Sequence, residues 1–255
     1  MPTSAVSVGT SPSGIGIQLL GPFSVTAGDL VAGPWQRPSA RRICALVLVS
    51  PGRRITRDAA CECLFPGLAP YAAARSLSKA LSMARAAIAP LGQHAASLLS
   101  ADLTHVWGAP EAWIDAETQV CALHDALRMP SGTARDSALV AALADEGELL
   151  ADEPYADWAI GPRDQLELLR QEARMALARD RSSGAGQSSR DMVTAAWRSA
   201  FDHDPACEEA AATLIRQYLA AGRRELAARV YRRSNAALRE LGLSAPPFLG
   251  DLAVS

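Results

Sequence analysis

The chain has 255 residues, 49% of them hydrophobic and 20% charged, with a formal net charge of −2. This composition excludes a disordered polymer, and apolar runs such as Ile43 to Val49 are far shorter than the roughly 18 residues needed to span a bilayer. Charge is unevenly spread: residues 1–111 carry nine basic and five acidic side chains, a net of +4, whereas the remainder has a net of −6. A mildly basic head on an acidic body suits a nucleic-acid-binding module joined to a domain that does not bind nucleic acid.

The length fits two domains of ordinary size. Residues 1–14 are rich in Ser, Gly, Pro and Val and lack the basic and apolar regions of a signal peptide, so they predict a disordered tail on a cytoplasmic protein. The cysteines, Cys44, Cys61, Cys63, Cys121 and Cys207, are odd in number and sit among Ala and Leu, which suits reduced thiols. In Cys61-Glu62-Cys63 the single intervening residue would point the thiols to different helix faces, and no His pair follows. No metal or other cofactor is expected.

Ile15 to Val25 alternates and is interrupted by Gly21-Pro22, predicting a strand with a turn or bulge, and Leu30-Val31 suggests a second short strand. Ser39 is the expected N-cap of a first helix, Ala40 to Val49, stopped by Ser50-Pro51-Gly52. Thr56 caps a second helix running to about Phe65. A third, Tyr71 to Ala89, places Leu77, Leu81, Ala84 and Ile88 on one apolar face. Ser97 to Ser100 and Leu103 to Trp107 then flank a turn at Ala101-Asp102, predicting a β-hairpin. Strands, three helices and a hairpin make a winged helix, in which the third helix enters the major groove and the wing lies over the backbone or minor groove.

From Ile114-Asp115 onward the pattern is helix after helix, without a predicted strand. Breaks fall at Pro130-Ser131-Gly132, at Glu153-Pro154-Tyr155 and in the Gly/Ser stretch Ser182 to Ser189. Two helical hairpins are predicted, Leu166 to Arg179 with Asp191 to Phe201, and Ala206 to Ala220 with Glu225 to Leu241. Small residues where helices cross and aromatics where they do not suit tetratricopeptide-like packing, with a generic α-bundle as the alternative. The fold class read from these patterns is mainly α with an α+β head. A winged helix-turn-helix at 15–111 precedes an all-α tetratricopeptide-like domain at 112–255.

The segments LLGPFSV, ARRICALVLVSPGRRITRDAACECLFP and ARSLSKALSMARAAI resemble the winged helix of the Streptomyces antibiotic regulatory protein (SARP) family. WIDAETQ, GELLADEPYADWAIGPRDQLELLR and DHDPACEEAAATLIRQYLAAGRRELAARVYRRSNAALRELGL resemble that family's bacterial transcriptional activator domain. The resemblance runs from about Ile17 to Leu243. It implies an activator that binds promoter repeats in double-stranded DNA as a homodimer and recruits RNA polymerase, with no catalysis. No G-x-x-x-x-G-K-[ST] loop is present, as in the small members of the family.

Off the apolar face of the third helix lie Arg75, Ser78, Lys79, Ser82 and Arg85. Arg and Lys can reach phosphates or guanine edges, and Ser can hydrogen-bond to either. Where the family usually has Arg, this helix has Ser78, Met83 and Ala86, which leaves a second reading open: a protein-interaction adaptor whose winged helix no longer reads DNA. Arg53, Arg54 and Arg57, at the turn and start of the second helix, are expected near the DNA backbone, because a helix N-terminus already favours phosphate. Arg41 and Arg42 are expected as surface charges. Trp35, Trp107, Trp113, Tyr155 and Trp158 are expected to pack. The histidines, His94, His105, His124 and His203, form no catalytic constellation. Asp202, Asp204, Glu208 and Glu209 surround a helix start, where carboxylates complement the dipole.

Overall fold

The computed structural model describes residues 14–92, 95, 97–184, 189–244 and 246. The expected tail at residues 1–14 falls almost wholly outside these, as do His94 and the centre of the Gly/Ser stretch. The described chain forms two compact units. One comprises Met1–Gln119 with Asp145–Gln165, the other Val120–Ala144 with Leu166–Ser255. The chain passes between the units inside α4 (Asp115–Arg128), returns at Asp145, and leaves again inside α6 (Asp157–Ser182).

In the first unit the stretch expected as one strand with a turn or bulge at Gly21-Pro22 is two strands, β1 (Ile15–Gln18) and β2 (Ser24–Ala27), paired antiparallel with Ile17 opposite Val25. The two-residue turn Gly28-Asp29, with Gly28 at φ 57°, leads into β3 (Leu30–Val31). After β4 (Arg54–Thr56), β5 (Leu99–Ala101) and β6 (His105–Gly108) comes β7 (Trp113–Ile114), which lies parallel to β1 and completes the order β3-β2-β1-β7. Parallel neighbours need a long crossover, and here the whole winged helix is that crossover. The expectation of no strand from Ile114 onward is therefore corrected at two places: Ile114 pairs with Ile17, and Leu149 forms an isolated antiparallel bridge with Leu20.

Asp115, from the WIDAETQ segment, secures this arrangement. Its carboxylate accepts from the Leu19 amide (2.7 Å), the Leu20 amide (3.0 Å) and the Ala116 amide (2.7 Å). It therefore opens α4 and holds the end of β1 at once. Burial pushes its pKa up, against the opposing pull of these three amides.

The winged helix follows the predicted order: α1 (Pro38–Val49), α2 (Arg57–Leu64) and α3 (Pro70–Ile88). Thr56 caps α2 as expected, its hydroxyl accepting from the Ala59 amide at 3.2 Å. Ser39 does not cap α1. Pro38 occupies the first turn, where its missing amide costs nothing, and Arg37 holds the cap position without a side-chain bond. The α3 face Leu77, Leu81, Ala84 and Ile88 is buried as predicted, and α3 packs against α1, where Ile43, Leu46 and Val47 are also buried. The wing is a three-stranded sheet, order β4-β6-β5. Its third strand, β4, is too short and polar to alternate visibly.

The second unit is helical throughout its described residues: the remainder of α4, α5 (Thr133–Ala142), the remainder of α6, α7 (Arg190–His203), α8 (Glu208–Ala220) and α9 (Arg224–Glu240). Both predicted hairpins are present, although α6 begins nine residues earlier than Leu166 and carries Pro162 internally. Trp197, Phe201, Leu214, Ile215 and Tyr218 fill the core, with Ala196, Ala200, Ala210, Ala211 and Ala227 at the close crossings. The Trp197 indole donates to Ser182 Oγ at 2.7 Å, which satisfies the ring's only donor. Glu208 and Glu209 lie in the first turn of α8 as expected, whereas Asp202 pairs with Arg233 (2.6 Å) instead of serving a helix start.

Candidate nucleic-acid interface

Helix α3 exposes one continuous stripe. Arg75, Ser78, Ser82 and Arg85 recur at intervals of three or four residues, Lys79 lies next to Ser78 and four from Arg75, and all five are exposed, so they share a face opposite the buried one. The guanidinium of Arg75 lies over the ring of Tyr71, 6.0 Å from its centroid, and Tyr71 is itself 76% exposed. Ser78 Oγ donates to the Ala74 carbonyl (2.9 Å) and accepts from Arg57 Nη2 (2.9 Å). Lys79 and Ser82 have no hydrogen-bond or ionic partner among the described residues. Arg85 Nε donates to the Leu99 carbonyl (2.9 Å), joining α3 to the wing.

The three arginines grouped together in sequence go to three different environments. Arg57 stays at the start of α2, where its amide donates to the Thr104 carbonyl (2.9 Å) and Nη1 reaches the Asp102 carbonyl (3.4 Å). Arg54 lies on β4, exposed, opposite Trp107. Arg53 turns inward. Its Nε donates to Glu117 Oε1 (2.9 Å), Nη2 binds the other Glu117 oxygen, and Nη1 donates to the carbonyls of Ala109 (2.6 Å) and Pro110 (3.2 Å). A guanidinium so occupied is a structural brace. It also steadies a left-handed backbone at Arg53 (φ 53°), which for a residue with a Cβ costs about 1–2 kcal/mol.

Arg41 and Arg42, expected as plain surface charges, are likewise engaged: Arg41 with Asp152 and Glu153, and Arg42 with Glu153 (2.9 Å). These acids come from Asp145–Gln165, so the ion pairs help explain why that segment belongs to the first unit.

The wing tip is Asp102-Leu103-Thr104. Asp102 Oδ1 accepts from the Thr104 amide (2.7 Å), the His105 amide (2.6 Å) and the Thr104 hydroxyl (3.0 Å). These bonds stabilise the carboxylate and hold its pKa down at about 2, the amides of His105 and Thr104 contributing most. Leu103 is left 96% exposed. Tyr71 was not singled out in sequence, and the turn expected at Ala101-Asp102 lies slightly later, at Asp102-Leu103-Thr104, which fits the Asx-turn pattern in which Asp bonds the backbone two residues on. Cys61 and Cys63 border separate cavities, of about 750 and 850 Å3, so they diverge as expected. Burial raises both thiol pKa values. Among the described residues no group of three or more His, Cys, Asp or Glu side chains is placed to hold a metal ion.

A basic, exposed third helix in a three-helix head with a wing, on a chain that continues into a helical body, is the architecture of a transcription regulator. Residues 115–253 match the family model of the bacterial transcriptional activator domain. The chain belongs to that family, in agreement with its resemblance to the SARP regulators. Among solved structures it is similar to Mycobacterium tuberculosis EmbR in complex with a low-affinity phosphopeptide, with a TM-score of 0.60 and 22% identity, over 94% of this chain and 64% of that one. That likeness is one of fold: a winged helix followed by a helical domain. A search of curated proteins finds no match.

Proposed function

We propose that the protein is a SARP-type transcriptional activator that acts in the cytoplasm, binds double-stranded promoter repeats as a homodimer through its winged helix (15–111), and recruits RNA polymerase through its helical domain (112–255). The observation that carries this reading is the α3 stripe, with Arg75, Lys79 and Ser82 exposed and the last two unpartnered, in a chain of the activator-domain family. Arg57 and Ser78 extend the stripe toward the wing, and Arg54 adds an exposed cation on β4 without a partner among the described residues. Arg53 braces the head through Glu117 and the Ala109 carbonyl, and Arg85, exposed on the stripe, ties it to the wing through the Leu99 carbonyl. In a band-shift titration with its own upstream region, binding should prefer a repeat-containing fragment over random DNA and weaken as salt rises. Equal binding to both fragments, or none, would refute the reading.

The second reading, a protein-interaction adaptor with a degenerate winged helix, is favoured by the internal use of Ser78, Arg53 and Arg85, which leaves few free cations. Arg75→Ala with Lys79→Ala separates the two. An activator loses promoter binding and reporter output; an adaptor keeps both its partner and its phenotype.

A further inference from the structure

Away from the α3 stripe, the first unit has a second feature that DNA binding does not use. A groove of about 850 Å3 lies between the end of α2 and the segment Asp152–Trp158, within the range of about 300–1,000 Å3 typical of ligand sites. Its base is electrostatically closed, because Asp152 and Glu153 are neutralised by Arg41 and Arg42. Its rim is not closed. Glu62 and Asp157 border the groove, both are exposed, and neither has an ionic partner among the described residues. Two aromatic residues complete the lining, Tyr155, which is 96% exposed, and Trp158, whose indole N–H has no acceptor among the described residues.

The sequence reading assigned Tyr155 and Trp158 to packing, and for Tyr155 its exposure corrects this. A tyrosine ring fully in water on a turn, beside uncompensated carboxylates, contributes little to folding. Aromatic faces and carboxylates together match a planar cation: the ring quadrupole attracts it from one side and the carboxylates take its N–H donors on another. The excess negative charge opposes phosphate groups and therefore opposes nucleic acid at this place.

We infer that the groove bordered by Glu62, Tyr155, Asp157 and Trp158 is a docking site for an arginine-bearing segment of a partner protein. Guanidinium suits it better than ammonium because it offers a flat face to the rings and several donors to the two carboxylates. The site is independent of the α3 stripe and stands whether or not α3 reads DNA.

The test is titration of the whole protein with the tripeptide acetyl-Gly-Arg-Gly-amide, followed by the NMR signal of the Trp158 indole proton, assigned by its loss in Trp158→Phe. Saturable shifts are expected with the arginine peptide and not with its citrulline counterpart. Tyr155→Ala, or Glu62→Gln with Asp157→Asn, should weaken binding roughly tenfold, while Glu172→Gln, an exposed acid on α6, should leave it unchanged. Circular dichroism establishes that each variant is folded. No saturable shift, equal shifts from the citrulline peptide, or binding indifferent to these substitutions would overturn the inference. Equally tight binding of agmatine, which has the guanidinium without the peptide backbone, would also overturn it in favour of a small-cation site.

Discussion

Arg57 Nη2 donates to Ser78 Oγ across 2.9 Å, tying the start of α2 to the exposed face of α3. Ser78 is a position where the resemblance to SARP regulators implies Arg, and this bond keeps a cation beside it from a neighbouring helix. On the proposed reading, Arg57→Ala removes a phosphate contact and should lower the slope of log K against log salt by about 0.9. Ser78→Ala should leave the slope intact and change stability by less than about 0.5 kcal/mol. Band-shift titrations at several salt concentrations and urea unfolding report the two quantities separately.

Arg53 should behave in the opposite way. Its guanidinium is occupied by Glu117 and the carbonyls of Ala109 and Pro110. Arg53→Ala is expected to cost about 1–3 kcal/mol of stability through unpaired acceptors. The salt slope of any DNA binding should be unchanged.

Asp102 predicts a pH response at the wing tip. Its folded pKa, about 2, lies below the usual 3.8, so its contribution is fully present above pH 3.8 and is lost as pH falls toward 2. The amide signals of Thr104 and His105 should report loss of the turn across that window. In Asp102→Ala the turn should already be loosened at neutral pH, and the low-pH transition of these amides should disappear.

Asp115 joins β1 to α4 through three backbone amides, those of Leu19, Leu20 and Ala116. Asp115→Ala should destabilise the protein by roughly 2–4 kcal/mol, because it strands amide donors that lie partly out of water. Asp115→Asn keeps an acceptor oxygen and should cost less. Chemical unfolding of the two variants, compared directly, decides the point.

In the helical body, Ala227 is fully buried at a close helix crossing. Ala227→Leu should overpack it and cost about 1–3 kcal/mol. Thermal unfolding should show a lowered Tm.

Much of this protein could be read directly from its sequence, because short-range periodicity is a local property. Leu77, Leu81, Ala84 and Ile88 recur at helical spacing and lie buried on α3; Thr56 caps α2; the Ala-rich crossings of α7, α8 and α9 form the body's core. The stripe Arg75, Ser78, Lys79, Ser82 and Arg85 followed from the same period, since whatever lies off a buried helix face is exposed. What only the tertiary structure decided is which partners those side chains meet. Arg53 finds Glu117 64 residues on, Arg41 finds Asp152 111 residues on, and Ile17 pairs with Ile114 across the whole winged helix. Pairings at such separations leave no periodic trace, because they depend on where chain closure brings two groups together. For the same reason Tyr155, an expected core aromatic, is found in water beside Glu62 and Asp157 at the edge of an acidic groove.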